Sequence, residues 1–247
     1  MTGPHAHTVT APTIDEITLA DRPDGWAALG FDIAGDVCQL GAVRVRFVEP
    51  QQGGQERAGI LGWSLRDVRS AALSAEGELP LRGGCDGLAT TVSHTPVPAD
   101  APAHPNGVLA IDHVVVMTPA LDRTVAALRA AGLDLRRIRE QPTPAGAPRQ
   151  AFFRLGREIL EVVQEPAEIV ARDGGPRRPA HFWGLALLVE DIQRTAESLA
   201  PHVSEVRAAV QPGRRIATVR RSAGLAVPLA LMSAAERPDA GRTEVHA

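Results

Sequence analysis

The residues that invite a chemical reading are few. In Ala110-Ile111-Asp112-His113-Val114-Val115-Val116 a histidine stands inside an apolar run, and a histidine in mid-strand needs partners for its ring nitrogens. In Leu155-Gly156-Arg157-Glu158-Ile159-Leu160-Glu161-Val162-Val163 a carboxylate stands between large apolar residues. Left unpaired it would cost several kcal/mol, so Glu161 must meet a cation, a donor or a proton. Such a pair can bind a divalent ion, form a structural hydrogen bond in a pocket floor, or pass protons to a bound ligand. Period-two alternation places His113 with Ile111 and Val115 on one strand face, and Glu161 with Ile159 and Val163 on one face. Spacing alone does not say whether the two faces coincide.

Softer candidates surround these two. Arg136-Arg137-Ile138-Arg139, Arg214-Arg215 and Arg220-Arg221 concentrate positive charge near predicted strands. Arg215, entering a strand from the turn Gln211-Pro212-Gly213, is the foremost of them for a carboxylate or phosphate contact, beside the plainer reading of a solvated face. Gln150, Phe153 and Trp183 are candidates to line a cavity, although aromatic residues on strands also serve as core. His181 precedes Gly184 by an odd offset, which points it to the opposite face unless a bulge intervenes. His5 and His7 lie in a Thr-, Pro- and His-rich end and read as solvated. No phosphate-binding glycine loop, dinucleotide fingerprint or Gly-x-Ser-x-Gly elbow occurs.

The elements that must position these residues repeat. Ile111 to Met117 reads as a strand, Thr118 as a cap with Pro119 in the first turn, and Leu121, Val125 and Leu128 as the buried stripe of a helix ending at Gly132. Leu133 to Arg139 is a second strand, and Arg149 to Leu155 with Glu158 to Gln164 a hairpin about Gly156-Arg157. This is a βαβββ unit. A shift of 71 residues puts Phe182-Trp183-Gly184-Leu185-Ala186-Leu187 on Ile111 to Val116, and Ile192, Ala196 and Leu199 on the helix stripe. Asp191 caps the second helix, Pro201 stops it, and Val203 to Ala208, Arg214 to Arg220 and Ala226 to Met232 supply three more strands. The fold class is α+β, with paired βαβββ units forming a curved mixed sheet around a cavity.

The units occupy 108–166 and 180–235 of a domain spanning 108–235, followed by a polar tail at 236–247. Ahead of it lies a proline-rich linker at 96–107. Residues 13–95 are a weaker echo, with a strand at Ile14 to Ala20, a truncated helix at Asp24 to Gly30, a long strand from Val37 to Val48, and another strand in Ile60 to Val68. This half reads either as a degenerate second pair of units or as an unrelated α+β extension.

Composition narrows the partners. With 247 residues, 44% of them apolar, the chain buries one substantial core or two modest ones. A net charge of -3 removes the attraction that nucleic-acid and anionic-membrane binders use. All 26 basic residues are arginine and tyrosine is absent, which excludes Schiff-base lysine and tyrosine acid–base chemistry. Cys38 and Cys85 form no Cys-x-x-Cys motif, no signal-like segment opens the chain, and no apolar run is long enough to span a bilayer. A cytoplasmic protein with a small-molecule partner is expected, as a monomer or homodimer.

The opening strand Ile-Asp-His-Val-Val-Val and the closing strand Ile-Leu-Glu-Val-Val resemble the first and last strands of a unit in the vicinal-oxygen-chelate (glyoxalase/bleomycin-resistance/dioxygenase) superfamily. The resemblance covers residues 108–233 well and residues 13–95 poorly. It implies that His113 and Glu161 occupy two of that family's four metal-ligand positions, on the concave face of the sheet. The second unit departs from the pattern, with Gly184 at the place of His113 and Leu229 or Ala230 at that of Glu161. One divalent ion (zinc, iron, manganese or nickel) and no metal at all are therefore both open. The expectation is a protein that binds a small anionic or aromatic molecule with an incomplete metal site. The alternatives are a metal-dependent lyase, isomerase or dioxygenase, and a non-catalytic interaction module.

Overall fold

The computed structural model describes residues 11–50, 58–68, 85–143 and 146–235. His5, His7 and the tail at 236–247 lie outside the described residues. In the second half, β6 (Val108–Thr118), α2 (Leu121–Ala130), β7 (Asp134–Arg139), β8 (Gln150–Leu155) and β9 (Glu158–Gln164) form the first unit. A short helix, α3 (Ala167–Arg172), leads to the second, made of β10 (His181–Val189), α4 (Ile192–Ser198), β11 (Arg207–Ala208), β12 (Arg215–Thr218) and β13 (Leu229–Ser233). In both units the first strand runs parallel to the last, and the two first strands, β6 and β10, pair antiparallel at the centre. One eight-stranded sheet results, in the order β11-β12-β13-β10-β6-β9-β8-β7.

Helix α2 forms because Leu121, Thr124, Val125 and Leu128 share one side, and it buries that stripe on the sheet. Full burial of one such leucine is worth about 2 kcal/mol. The helix begins two residues later than the sequence suggests. β6 runs through Thr118, so its hydroxyl accepts from the amide of Ala120 and bonds Thr124 instead of capping the helix. Asp191 does cap α4, accepting from the amides of Gln193 and Arg194.

The first half contains β1 (Thr13–Ala20), α1 (Pro23–Ala28), β2 (Val37–Leu40), β3 (Val43–Val48), β4 (Gly59–Arg66) and β5 (Thr90–Ser93). The single long strand expected over Val37 to Val48 is a hairpin. Gly41 turns it at φ 61°, and a Cβ there would lie 2.9 Å from that of Ala110. The five-stranded sheet, β2-β3-β1-β4-β5, repeats the larger sheet's pairing in shortened form: β1 is parallel to β3, β4 parallel to β5, and β1 antiparallel to β4.

One apolar core runs through both sheets, with Trp63 edge-on to Phe182 at 5.2 Å between ring centroids. The proline-rich segment is tied down by His104, whose Nδ1 accepts from the amide of Asp32 while Nε2 lies 3.0 Å from the Gln39 carbonyl. Both cysteines are buried and free, and burial, helped by Asp32, pushes the Cys38 thiol up to about 12, which leaves it no nucleophilic thiolate at neutral pH. Among the described residues no helix is long and apolar enough to cross a membrane.

Candidate functional site

The site is built on an irregularity in β6. Against β10, His113 pairs with Ala186 and Ile111 with Leu187, so Asp112 has no partner and forms a bulge. A bulge sends two consecutive side chains to the same side. Asp112 therefore joins His113, with its Oδ1 2.8 Å from His113 Nδ1, while Ile111 turns into the core at 3% exposure. The alternation that grouped Ile111 with His113 is corrected by this one residue. Because β9 runs parallel to β6, with His113 beside Ile159 and Val115 beside Glu161, the carboxylate lies on the histidine's face. Its Oε2 is 3.4 Å from His113 Nε2.

Two further residues close the network. Arg214, just before β12, donates both terminal nitrogens to the Asp112 carboxylate and its Nε to the Ser233 carbonyl at 2.8 Å. Gln150 on β8 donates its amide to Glu161 Oε1, leaving its own buried Oε1 without a partner. The chain Arg214–Asp112–His113–Glu161–Gln150 is nearly dry, with the side chains of the first four between 13% and 15% exposed.

Charge in this chain is arranged about the contact of His113 with Glu161. Burial alone would raise the Asp112 carboxyl, but hydrogen bonds from His113 and Arg214 outweigh it and hold Asp112 below the usual carboxylate range. Ionised Asp112 accepts only, so His113 presents an N–H at Nδ1 and turns Nε2 toward Glu161. Burial pushes Glu161 above its ordinary value, against the pull of His113, the Gln150 hydrogen bond and Arg139. Arg214 and Asp112 cancel, leaving Nε2 of His113 facing the Glu161 carboxyl.

A pH dependence follows. Glu161 titrates higher folded than unfolded, so its contribution to stability is full below the unfolded value near 4.5 and is lost as pH rises through the raised folded value. Glu161→Gln should abolish that loss. Urea unfolding at a series of pH values should give a flatter profile for the variant above pH 5, and identical slopes for both proteins would refute it.

The structure places the remaining candidates as follows. Gln150 belongs to the network. Phe153 borders the sheet-edge cavity but its side chain is wholly buried on the helix side, where its register partner Leu160 points, and Phe152, beside Glu161, takes the half-buried position on the open face. Arg215 is also corrected. β12 turns Ile216 to the site face with Met232, and it is Arg214 that reaches the network. Trp183 occupies a bulge in β10 and is 51% exposed. That bulge puts His181 opposite Met117 and so on His113's face, but four residues along β6 separate them, about 13 Å. Nothing in the sequence marks Asp112 or Arg214 for the site, because alternation assigns Asp112 to the wrong face.

A metal centre does not fit this donor set. The pairing Ala186–Ala230 takes the place of Val115–Glu161 in the second unit, and Gly184 that of His113. A Cβ on Gly184 would lie 2.6 Å from the Pro228 carbonyl oxygen, so no ligating side chain can stand there without the strand moving. Among the described residues no group of three or more His, Cys, Asp or Glu converges. Two donors, with the neighbouring Asp112 committed to a guanidinium, fall short of the three protein ligands of catalytic zinc sites.

The first half holds a second copy of the bulge. In β1, Ile14 pairs with Leu65 and Glu16 with Ser64, so Asp15 is the extra residue, and Ile14-Asp15-Glu16 matches Ile111-Asp112-His113. Arg44 stands beside Glu16 and Arg46 two residues on, where Ile159 and Glu161 stand in β9. Here the space is filled with ion pairs: Glu16 accepts from Arg44 and Arg46, and Asp15 from Arg44, Arg66 and Ser93. Among the described residues no acid–base pair remains there.

No protein-family model and no curated protein sequence matches the chain. Solved structures do. A xylose isomerase-like TIM barrel/4-hydroxyphenylpyruvate dioxygenase fusion protein is 13% identical, with a TM-score of 0.59 over 95% of this chain and 50% of its own. The methylmalonyl-CoA epimerase of Mycobacterium tuberculosis is 16% identical, covering 55% of this chain and 93% of its own with a TM-score of 0.44. A single-residue variant of the Streptomyces coelicolor methylmalonyl-CoA epimerase, in complex with 2-nitronate-propionyl-CoA, is 20% identical over 52% and 99%, with a TM-score of 0.42. The near-complete coverage by the fusion protein, together with the strand order of the eight-stranded sheet, shows that this chain has the vicinal-oxygen-chelate fold.

Proposed function

We propose that the chain binds a small organic molecule against the open face of the eight-stranded sheet, and that His113 and Glu161 exchange protons with it without a metal ion. The observation that carries this reading is the 3.4 Å approach of His113 Nε2, on a ring held at Nδ1 by Asp112, to a Glu161 carboxyl that burial pushes above its ordinary value. That separation is long for a hydrogen bond, so each group is free to turn to a ligand. With a carbonyl compound bound, His113 Nε2 takes a proton from the carbon beside the carbonyl. The C–H pair becomes the carbon–carbon double bond while the carbonyl π pair moves to the oxygen and takes the Glu161 proton, and the reverse steps return both protons. The reaction classes served are isomerisation and hydrogen exchange.

The test is deuterium exchange. Chelator-treated protein in D2O should catalyse loss of carbon-bound hydrogen from members of a panel of 2-oxo acids and their neutral amides, followed by proton NMR. Exchange that vanishes with chelator and returns with added zinc, iron, manganese or nickel would overturn the metal-free reading. Saturable binding with no exchange on any compound would leave a sequestering protein.

A further inference from the structure

Resting on that reading of His113 and Glu161, the edge of the same sheet face identifies the class of molecule bound. Strand register puts Arg154, Ile159 and His113 in one row across β8, β9 and β6, and Phe152, Glu161 and Val115 in the next. On the outer strand β7, Arg137 pairs with Phe152 and Arg139 with Gln150, while a bulge admits Arg136 to the same side. A cavity of about 280 Å3 opens between Arg136, Arg154, Phe152 and Ile159. Its lining reaches Ile159, the neighbour of His113 in the row, and two strand spacings, about 10 Å, separate Arg154 from His113.

The charge along this edge has no close carboxylate partner among the described residues, although Arg139 acts on Glu161 and Arg154 on Glu158 from farther off. Asp134, opposite Arg154, is taken by Arg136 at 3.1 Å, and Glu140 by Arg149 at 2.7 Å. Among the described residues, Arg137, Arg139 and Arg154 have no carboxylate within 4.0 Å. Arg149 and Arg157 nearby are each paired. Three arginines along one edge of the sheet face give it positive charge, and their planar donors suit a carboxylate or a phosphate. The Arg137 guanidinium also lies 4.9 Å from the centre of the half-buried Phe152 ring, which gives the slot an apolar wall for a carbon skeleton.

We propose that the ligand is a small organic anion, its carboxylate or phosphate held by Arg137, Arg139 and Arg154 and its carbonyl end at His113 and Glu161. The arginines fix one end of the molecule, and the length of the slot sets the reacting carbon on the histidine.

Calorimetric titration with benzoate and phenyl phosphate, against neutral benzamide and phenol, tests this directly. At least one anion should bind at least about tenfold more tightly than both neutral probes, and that preference should weaken as salt rises. The comparison of benzoate with phenyl phosphate tells which anionic group the edge takes. An Arg137→Ala/Arg154→Ala double variant should lose about tenfold or more in anion affinity, whereas Arg149→Ala keeps it. Equal binding of anionic and neutral probes, no binding of either anion, or undiminished binding by the double variant would each overturn the proposal. Failure of the proton-transfer reading looks different: anions still bind through the arginines, but no 2-oxo acid exchanges deuterium.

Discussion

His113→Gln should lower deuterium exchange into a bound carbonyl compound by between about 10² and 10⁴-fold, the range that a positioned general base contributes. Glutamine fills similar space and can still donate to Asp112, but it has no nitrogen lone pair to offer as a base. His113 is largely enclosed by strand neighbours and makes one hydrogen bond through Nδ1, so the fold should survive the change with a melting temperature close to that of the wild type. Arg214→Met provides the companion measurement. It leaves His113 in place but strips Asp112 of its counter-charge, so Asp112 should protonate more readily and the acid limb of the pH–rate profile should move up. Full exchange activity in His113→Gln would show that the base lies elsewhere.

The largest loss of stability is expected in the other half. Arg66→Met should destabilise the protein by about 3 kcal/mol, at the lower end of the cost of breaking a buried ion pair. The Arg66 side chain is 5% exposed and donates to Asp15, to the Ile14 carbonyl at 2.8 Å and to the Thr95 carbonyl at 2.7 Å. Its removal strands a carboxylate that is itself 4% exposed, although Arg44 and Ser93 keep part of the compensation. In a chain of this size the loss corresponds to a melting temperature lower by about 6–12 °C. Asp15→Leu together with Arg66→Met should recover much of it, because removing both charges leaves none unpaired. Unfolding by heat or urea decides the matter, and a loss under about 1 kcal/mol for Arg66→Met alone would mean that water reaches Asp15.

These two outcomes set the same local device to different uses, and they show what a sequence reveals. The strand–helix–strand order was legible because Leu121, Val125 and Leu128 recur at helical spacing and β-branched runs alternate with turns. The exchange of His113 for Gly184 was legible from the shift of 71 residues. Bulges were not. A single unpaired residue, Asp112, Asp15 or Trp183, changes which face the residues around it occupy, and side-chain alternation carries no mark of it. Arg214 was hidden for a related reason. It belongs to a loop 102 positions from its partner Asp112, and adjacent arginines in sequence give no sign of which one turns inward. The ion-paired interior of the first half escaped because Glu16, Arg44 and Arg46 read singly as ordinary surface charges on amphipathic strands.

The unequal halves of the sheet bear on handedness. A pocket with His113 and Glu161 repeated across the β6–β10 axis would present a bound carbon with equivalent groups from two directions. Here Gly184 and Ala230 leave one flank bare, so a planar enol lying on the sheet meets its proton donor and acceptor from one side only. Deuterium would then enter one of the two prochiral positions of a methylene group, and a chiral carbon whose hydrogen faced the bare flank would pass through the site unchanged.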